Sequence, residues 1–302
     1  MPGRYSPQRT APYEDALVLQ VPTLDGVTLT VHELGGSGRP ALLCHATGFH
    51  GLVWEPLAAA LGSALERWSV DFRAHGSSMV PPGSPLDWPA FALDVQAVVE
   101  GLGLPRGEVL GIGHSMGGAA LLLAEQAHPG TFAGIWAYEP ITPPPGALPA
   151  PTGGNPLADG AARRRPAFPS HEAAIANFAS KPPLHVLRAD ALHAYVAHGF
   201  VAHEDGQVHL ACRAEDEAQI YRGGGAHGAF EALRAVTCPV VVACGRADPG
   251  PALFAPLVAD ALALGRLERM EPLGHFGPLE APEICAASIR RFASTLGVTP
   301  RA

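Results

Sequence analysis

The chain has 302 residues, of which 47% are hydrophobic and 16% charged, and a formal net charge of -8. That length and apolarity allow a large buried core, in one α/β domain or one domain with a substantial insertion, and exclude the disordered class. The acidic balance lacks the basic stripe that neutralises phosphates, and the run Arg163-Arg164-Arg165 is too short to supply one, so nucleic-acid binding is not expected.

The opening residues, 1–14, are polar and Pro-rich and read as a flexible tail; with no apolar h-region, no signal peptide is expected. Ala16 to Val21 and Val27 to His32 alternate around Asp25-Gly26, the pattern of a β-hairpin. A strand–helix rhythm follows. Ala41 to Cys44 reads as a strand, Val53 to Leu65 as a helix and Trp68 to Phe72 as a strand. Trp88 to Leu102 carries Phe91, Val95, Val98, Val99 and Leu102 at helical spacing. Val109 to Ile112 reads as a strand, Met116 to His128 as a helix and Phe132 to Tyr138 as a strand. Such alternation predicts an α/β fold, a mostly parallel sheet with helices on both faces. The rhythm breaks over 140–235, which opens Pro-rich and then shows helix-like stretches near 171–180, 188–199 and 213–222 but no clear strand. This region is read as a helical cap inserted into a core formed by 15–139 and 236–302. The core resumes with a strand from Pro239 to Ala243, a helix near 252–263, a strand from Leu267 to Met270 and a helix from Pro282 to Leu296. No apolar run reaches the roughly 18 residues of a membrane span. Cys44, Cys212, Cys238, Cys244 and Cys285 are scattered and form no C-x-x-C pair, which fits buried free thiols in a reducing cytoplasm.

Between the strand ending near Ile112 and the helix starting at Met116 lies Gly113-His114-Ser115-Met116-Gly117, a G-x-S-x-G pattern. A sharp strand-to-helix turn holds such a serine exposed, the small flanking residues let helix and strand approach, and the helix N-terminus directs N–H groups at the spot where an oxyanion would form. Here the chain resembles the α/β-hydrolase superfamily over nearly its whole length. Leu43-Cys44-His45-Ala46-Thr47-Gly48-Phe49, with Trp54 beyond, is similar to the family's oxyanion loop, with Ala46 where the family more often has Gly. Asp71-Phe72-Arg73-Ala74-His75-Gly76-Ser77 is similar to its turn after the fourth strand, and Gly274-His275-Phe276 with Glu280 to Glu283 to the segment bearing the catalytic histidine.

The resemblance implies a nucleophile at Ser115, a base at His275, and an oxyanion hole from the backbone N–H groups of Met116 and Thr47. It implies structural roles for His45, His75 and His114. Two carboxylates compete for the triad acid. Asp248, in Gly245-Arg246-Ala247-Asp248-Pro249, stands at the family's commonest acid position; Glu139, directly after the strand ending at Tyr138, stands where some members, certain lactonases among them, take theirs. Either could orient the imidazole, and both stay open. His193, His198 and His203 are five residues apart, turn 140° from one another on a helix and make a poor metal site. No metal or cofactor is expected. The Arg163–Arg165 run reads as a salt-bridged turn or a carboxylate contact, and Trp54, Trp88 and Trp136 as core.

The expected activity is hydrolysis of a carboxylic ester or lactone of a small-to-medium apolar substrate. Serine at the nucleophile position sets the chain apart from haloalkane dehalogenases and epoxide hydrolases of this fold, which use Asp. A cofactor-free perhydrolase or haloperoxidase-like activity would use the same triad, and a ligand receptor on the same fold is a reading from another class. The expected partner is the small-molecule substrate, with no membrane contact; the oligomeric state, a homodimer included, is left open.

Overall fold

Four of the strands carry apolar runs with no polar face, which only burial on both sides of a parallel sheet accommodates. The computed structural model describes residues 17–148, 154–246 and 250–297, so the tail expected over 1–14 lies outside the described residues. Six strands come first: β1 (Val18–Pro22), β2 (Thr28–Glu33), β3 (Arg39–Cys44), β4 (Leu65–Asp71), β5 (Val109–His114) and β6 (Phe132–Tyr138). Three short ones follow, β7 (Ala167–Phe168), β8 (Phe200–Ala202) and β9 (Val208–Leu210), then β10 (Val240–Cys244) and β11 (Gly265–Arg269). The large sheet has the order β1-β2-β4-β3-β5-β6-β10-β11. Only β2 pairs antiparallel with its neighbours, and every pair from β4 to β11 is parallel.

Helices α1 (Glu55–Leu61), α2 (Trp88–Gly101) and α3 (Met116–Ala127) lie between the sheet strands. Then come α4 (Pro156–Ala162), α5 (His171–Ala179), α6 (Ala189–Gly199) and α7 (Ala214–Gly223), and finally α8 (Ala255–Ala261), α9 (Gly277–Glu280) and α10 (Pro282–Thr295). Period-two alternation splits the strands between two cores. Leu42 and Cys44 of β3 join Phe91, Val95 and Val98 of α2, Ala120 of α3 and Val258 of α8 on one face. Ala41 and Leu43 join Leu57 and Leu61 of α1 and Ile289 and Phe292 of α10 on the other. Trp54, Trp88 and Trp136 are buried as core, with Trp88 Nε1–H donating to Ile220 O and Trp136 Nε1–H to Ser288 Oγ. All five cysteines are buried and unbridged. Among the described residues no helix is long and apolar enough to cross a membrane.

Two expectations need correction. The helix expected over Val53–Leu65 is a 3₁₀ turn, Gly51–Trp54, followed by α1; it stops at Gly62, whose φ of +72° ends the helix, and Leu65 already begins β4. The segment between β6 and β10, read as wholly helical, also holds a three-stranded antiparallel sheet in the order β7-β9-β8. Strands of two or three residues are too short for alternation to register against the helical pattern around them. The helices expected near 171–180, 188–199 and 213–222 are α5, α6 and α7; α4 and α9, of seven and four residues, were not expected.

Candidate active site

Strand β5 is buried along its length, and the chain leaves it directly into α3 through one residue. That residue is Ser115, at φ 54° and ψ −114°. A non-glycine residue there costs on the order of 1–3 kcal/mol, and persists only where its surroundings leave no alternative. Those surroundings are visible. Ser115 N–H donates to Tyr138 O (3.0 Å), and Ser115 O accepts from the N–H of Ile141 (3.2 Å), so the turn is stitched to the end of β6. A Cβ on Gly117 would lie 2.1 Å from Cys44 O, and one on Gly113 2.6 Å from Gly118 N; the glycines of the motif are what let α3 press against β3 and β5.

Met116 is the first residue of α3, so its N–H is one of the amides the helix itself cannot pair, at the positive end of the helix dipole. The loop 45–49 comes against it, with Thr47 Oγ1 3.4 Å from Met116 Sδ and both residues buried. Two histidines hold that loop. His45 Nδ1–H donates to Ala46 O (2.7 Å) while its Nε2 accepts from Phe72 N–H (3.1 Å). His75 Nδ1–H donates to Arg73 O (2.9 Å) while its Nε2 accepts from Gly48 N–H (3.0 Å). One ring nitrogen donates and the other accepts in each, which is the neutral form. Burial keeps them neutral, pushing His45 well below the ordinary histidine value and His75 down to about 4.

The segment carrying His275 is fixed from three sides. Tyr138 Oη–H donates to Gly274 O (2.7 Å), His114 Nε2–H donates to His275 O (2.8 Å), and the Glu280 carboxylate accepts from the N–H groups of Gly274 (2.9 Å) and Phe276 (3.2 Å). Burial also holds His114 neutral, far below its usual value. His45, His75 and His114 therefore have the structural environment expected of them. Tyr138 and the bracing contact of Glu280 were not singled out from the sequence. Tyr138 reads there as one more strand residue, and only its hydroxyl beside a tight glycine loop reveals it.

Glu139 follows β6 at φ 43° and is 2% exposed. Its Oε2 lies 2.7 Å from His275 Nδ1, its Oε1 accepts from Gly245 N–H (2.9 Å), and its own N–H donates to Ala243 O (2.8 Å). With Nδ1–H donating to the carboxylate, Nε2 is the ring's free lone pair, and the side chain is 30% exposed. The structure thus brings Ser115, His275, Glu139, Met116 and Thr47 to one end of the parallel strands, where sites in such sheets are built. Asp248, the competing acid, lies outside the described residues.

Residues from the segment between β6 and β10 reach this end. Tyr195 of α6 packs on Phe49 (ring centroids 5.0 Å), and Phe49 packs on Phe276 (5.9 Å), which adjoins His275. Within the arginine run, Arg164 is ion-paired with Glu217 of α7 and donates to Tyr195 Oη, and Arg165 donates to Ala167 O and stacks over Phe168 at 4.5 Å. Arg164 and Arg165 are therefore salt-bridged and turn-bound.

A strained serine at a strand-to-helix turn beside a buried carboxylate–histidine pair, on a sheet of this order, defines the α/β type of hydrolase. The family model of the alpha/beta hydrolase family matches residues 41–288, and the chain belongs to that family. Human monoglyceride lipase is 33% identical over 153 residues, which are 47% of this chain and 49% of that protein, so the chain spans about half the length of the curated relative it matches. Among solved structures, E-2-(acetamidomethylene)succinate hydrolase superposes with a TM-score of 0.76 at 22% identity, covering 92% of this chain and 99% of the other. A thermophilic esterase from Thermogutta terrifontis gives 0.72 at 21%, covering 94% and 100%, and an esterase from Rhodococcus sp. ECU1013 gives 0.67 at 21%, covering 93% and 99%. These three likenesses are likenesses of fold.

Proposed function

We propose that the chain is a serine hydrolase that cleaves a carboxylic ester or lactone of a small-to-medium apolar substrate, with Ser115, His275 and Glu139 as its triad and residues 140–235 as its cap. The observation that carries this is the 2.7 Å contact between His275 Nδ1 and the buried Glu139 carboxylate, set beside the strained turn of Ser115. Ser115 Oγ attacks the carbonyl carbon while His275 Nε2 takes its proton. The N–H groups of Met116 and Thr47 receive the oxyanion, each worth roughly 2.7–4 kcal/mol to the transition state. The tetrahedral intermediate expels the alcohol, which takes the proton from His275. Water then attacks the acyl-enzyme with His275 again as base, releasing the acid and restoring Ser115. Glu139 stabilises the imidazolium in both halves. The aromatic wall of Phe49, Phe276 and Tyr195 supports an apolar substrate, and the partial match to a lipase supports an ester.

A fluorophosphonate probe tests the reading. Wild type should be labelled at Ser115 alone and should hydrolyse members of a panel of p-nitrophenyl esters and lactones, and Ser115→Ala should lose both properties. Hydrolysis at wild-type rate by the alanine variant would end the serine mechanism. Binding of panel members without turnover by the wild type would favour a receptor.

A further inference from the structure

We propose that the β8–β9 hairpin carries a surface site for one borderline transition-metal dication such as Zn²⁺, ligated by His203, Asp205 and His209. The ladder pairs Val201 with His209 and Ala202 with Val208, and the turn is closed by His203 N–H to Gln207 O (2.9 Å) and Gly206 N–H to His203 O (3.0 Å). His203 stands two residues beyond Val201, the partner of His209, so the two imidazoles are diagonal neighbours on one face of the hairpin. Their ring centroids are 4.6 Å apart. Asp205, in the turn, faces both. Its Oδ2 is 2.8 Å from His209 Nε2 and its Oδ1 3.6 Å from His203 Nδ1, and the carboxylate is steadied by Gln207 N–H at 2.9 Å.

One ligand atom from each of the three residues lies within 4.8 Å of the other two. Around an ion bound tetrahedrally at about 2.0–2.1 Å, ligand atoms sit about 3.4 Å apart. The two carboxylate–imidazole distances bracket that value, so small side-chain rotations complete the set. A proton can bridge Asp205 to only one imidazole at a time; a dication takes a lone pair from all three. Two imidazoles and a carboxylate suit zinc, copper or nickel rather than calcium or magnesium, which prefer oxygen. The side chains are 60%, 39% and 34% exposed, so the ion enters from solvent and water completes its shell. On one helix with His193 and His198, His203 would make a poor ligand; in the fold it lies beyond α6, and its partner is His209.

Calorimetric titration of tag-free protein with zinc chloride near neutral pH, with cobalt absorption as a second readout, tests the site. One equivalent should bind with micromolar affinity, with tetrahedral cobalt bands. His203→Ala and His209→Ala should each weaken binding tenfold or more, with the fold checked by circular dichroism, while His193→Ala leaves it unchanged. Affinity should fall as the solution is acidified through the imidazole range, because protonation competes with the metal. Unchanged binding in the double variant His203→Ala/His209→Ala, no binding up to millimolar zinc, or half an equivalent with dimerisation would each overturn the proposal.

Discussion

Glutamate seldom adopts a positive φ, yet Glu139 sits at 43°, with one carboxylate oxygen on the His275 ring and the other on Gly245 N–H. The strain is held by the ladder on one side, through Glu139 N–H to Ala243 O, and by the carboxylate's own partners on the other. A buried carboxylate with both oxygens partnered is held in place against the imidazole it faces. Glu139→Gln is expected to leave the fold intact and to lower kcat by about 10³–10⁴-fold, the scale seen when a triad acid loses its charge. Asp248→Asn is expected to stay near wild type. Steady-state kinetics on a reactive p-nitrophenyl ester checks both, and a collapse in Asp248→Asn with Glu139→Gln intact would reverse the assignment.

At the scale of elements, the inserted segment grips the loop that carries Thr47. Glu217 of α7 and Arg164 after α4, 53 residues apart in the chain, form an ion pair against Gly48; a Cβ there would lie 2.6 Å from Glu217 Oε1 and 3.3 Å from an Arg164 nitrogen, and φ is +80°. Glu217 is nearly buried, so removing its cation leaves it unpaired beside the loop that carries Thr47. Arg164→Ala should therefore cost about 3–5 kcal/mol in stability, and lower kcat through the displaced loop. The apolar replacement of both partners, Arg164→Met with Glu217→Leu, should recover most of the stability. Urea unfolding of the two single variants and the double gives the coupling energy; a value indistinguishable from zero would mean that this pair does not brace the loop.

Over the whole molecule, four buried histidines make folding sensitive to acid. Burial holds His45 and His114 well below the ordinary value and brings His50 and His75 down to about 4. A depressed folded pKa gives stability that is present above the unfolded value of about 6.5 and is lost as pH falls towards the folded one. At about pH 5 each such histidine has given up about 2 kcal/mol relative to neutral pH. Glu55 and Asp94 act in the opposite sense: burial pushes them up to about 7 and about 6, so their stabilising share is present below the unfolded value and is lost as pH rises. Two carboxylates do not offset four imidazoles. The urea midpoint should fall steeply between about pH 7 and about pH 5. A flat profile over that interval would show that the rings are protonated without unfolding.

Local chemistry alone is enough to mark much of this protein. The central strands and α2, α3 and α10 are legible because a strand buried on both faces and a helix against one face each impose a periodicity on the residues they contain. Ser115 and Met116 are legible because a one-residue turn between strand and helix needs Gly113 and Gly117 at fixed offsets. His275 could be named, but what holds it could not, since Tyr138, His114 and Glu280 reach it from separate parts of the fold. Glu139 and Asp248 follow adjacent strands, and period and spacing treat them alike, so the sequence leaves both open as candidate acids. It took the backbone twist at Glu139 to place that carboxylate against His275 Nδ1. The same holds for β7-β9-β8, for Arg164 with Glu217 and for His203 with His209: each depends on which distant backbone segments meet, and that is set by the packing of the whole chain, which no local pattern of residues encodes.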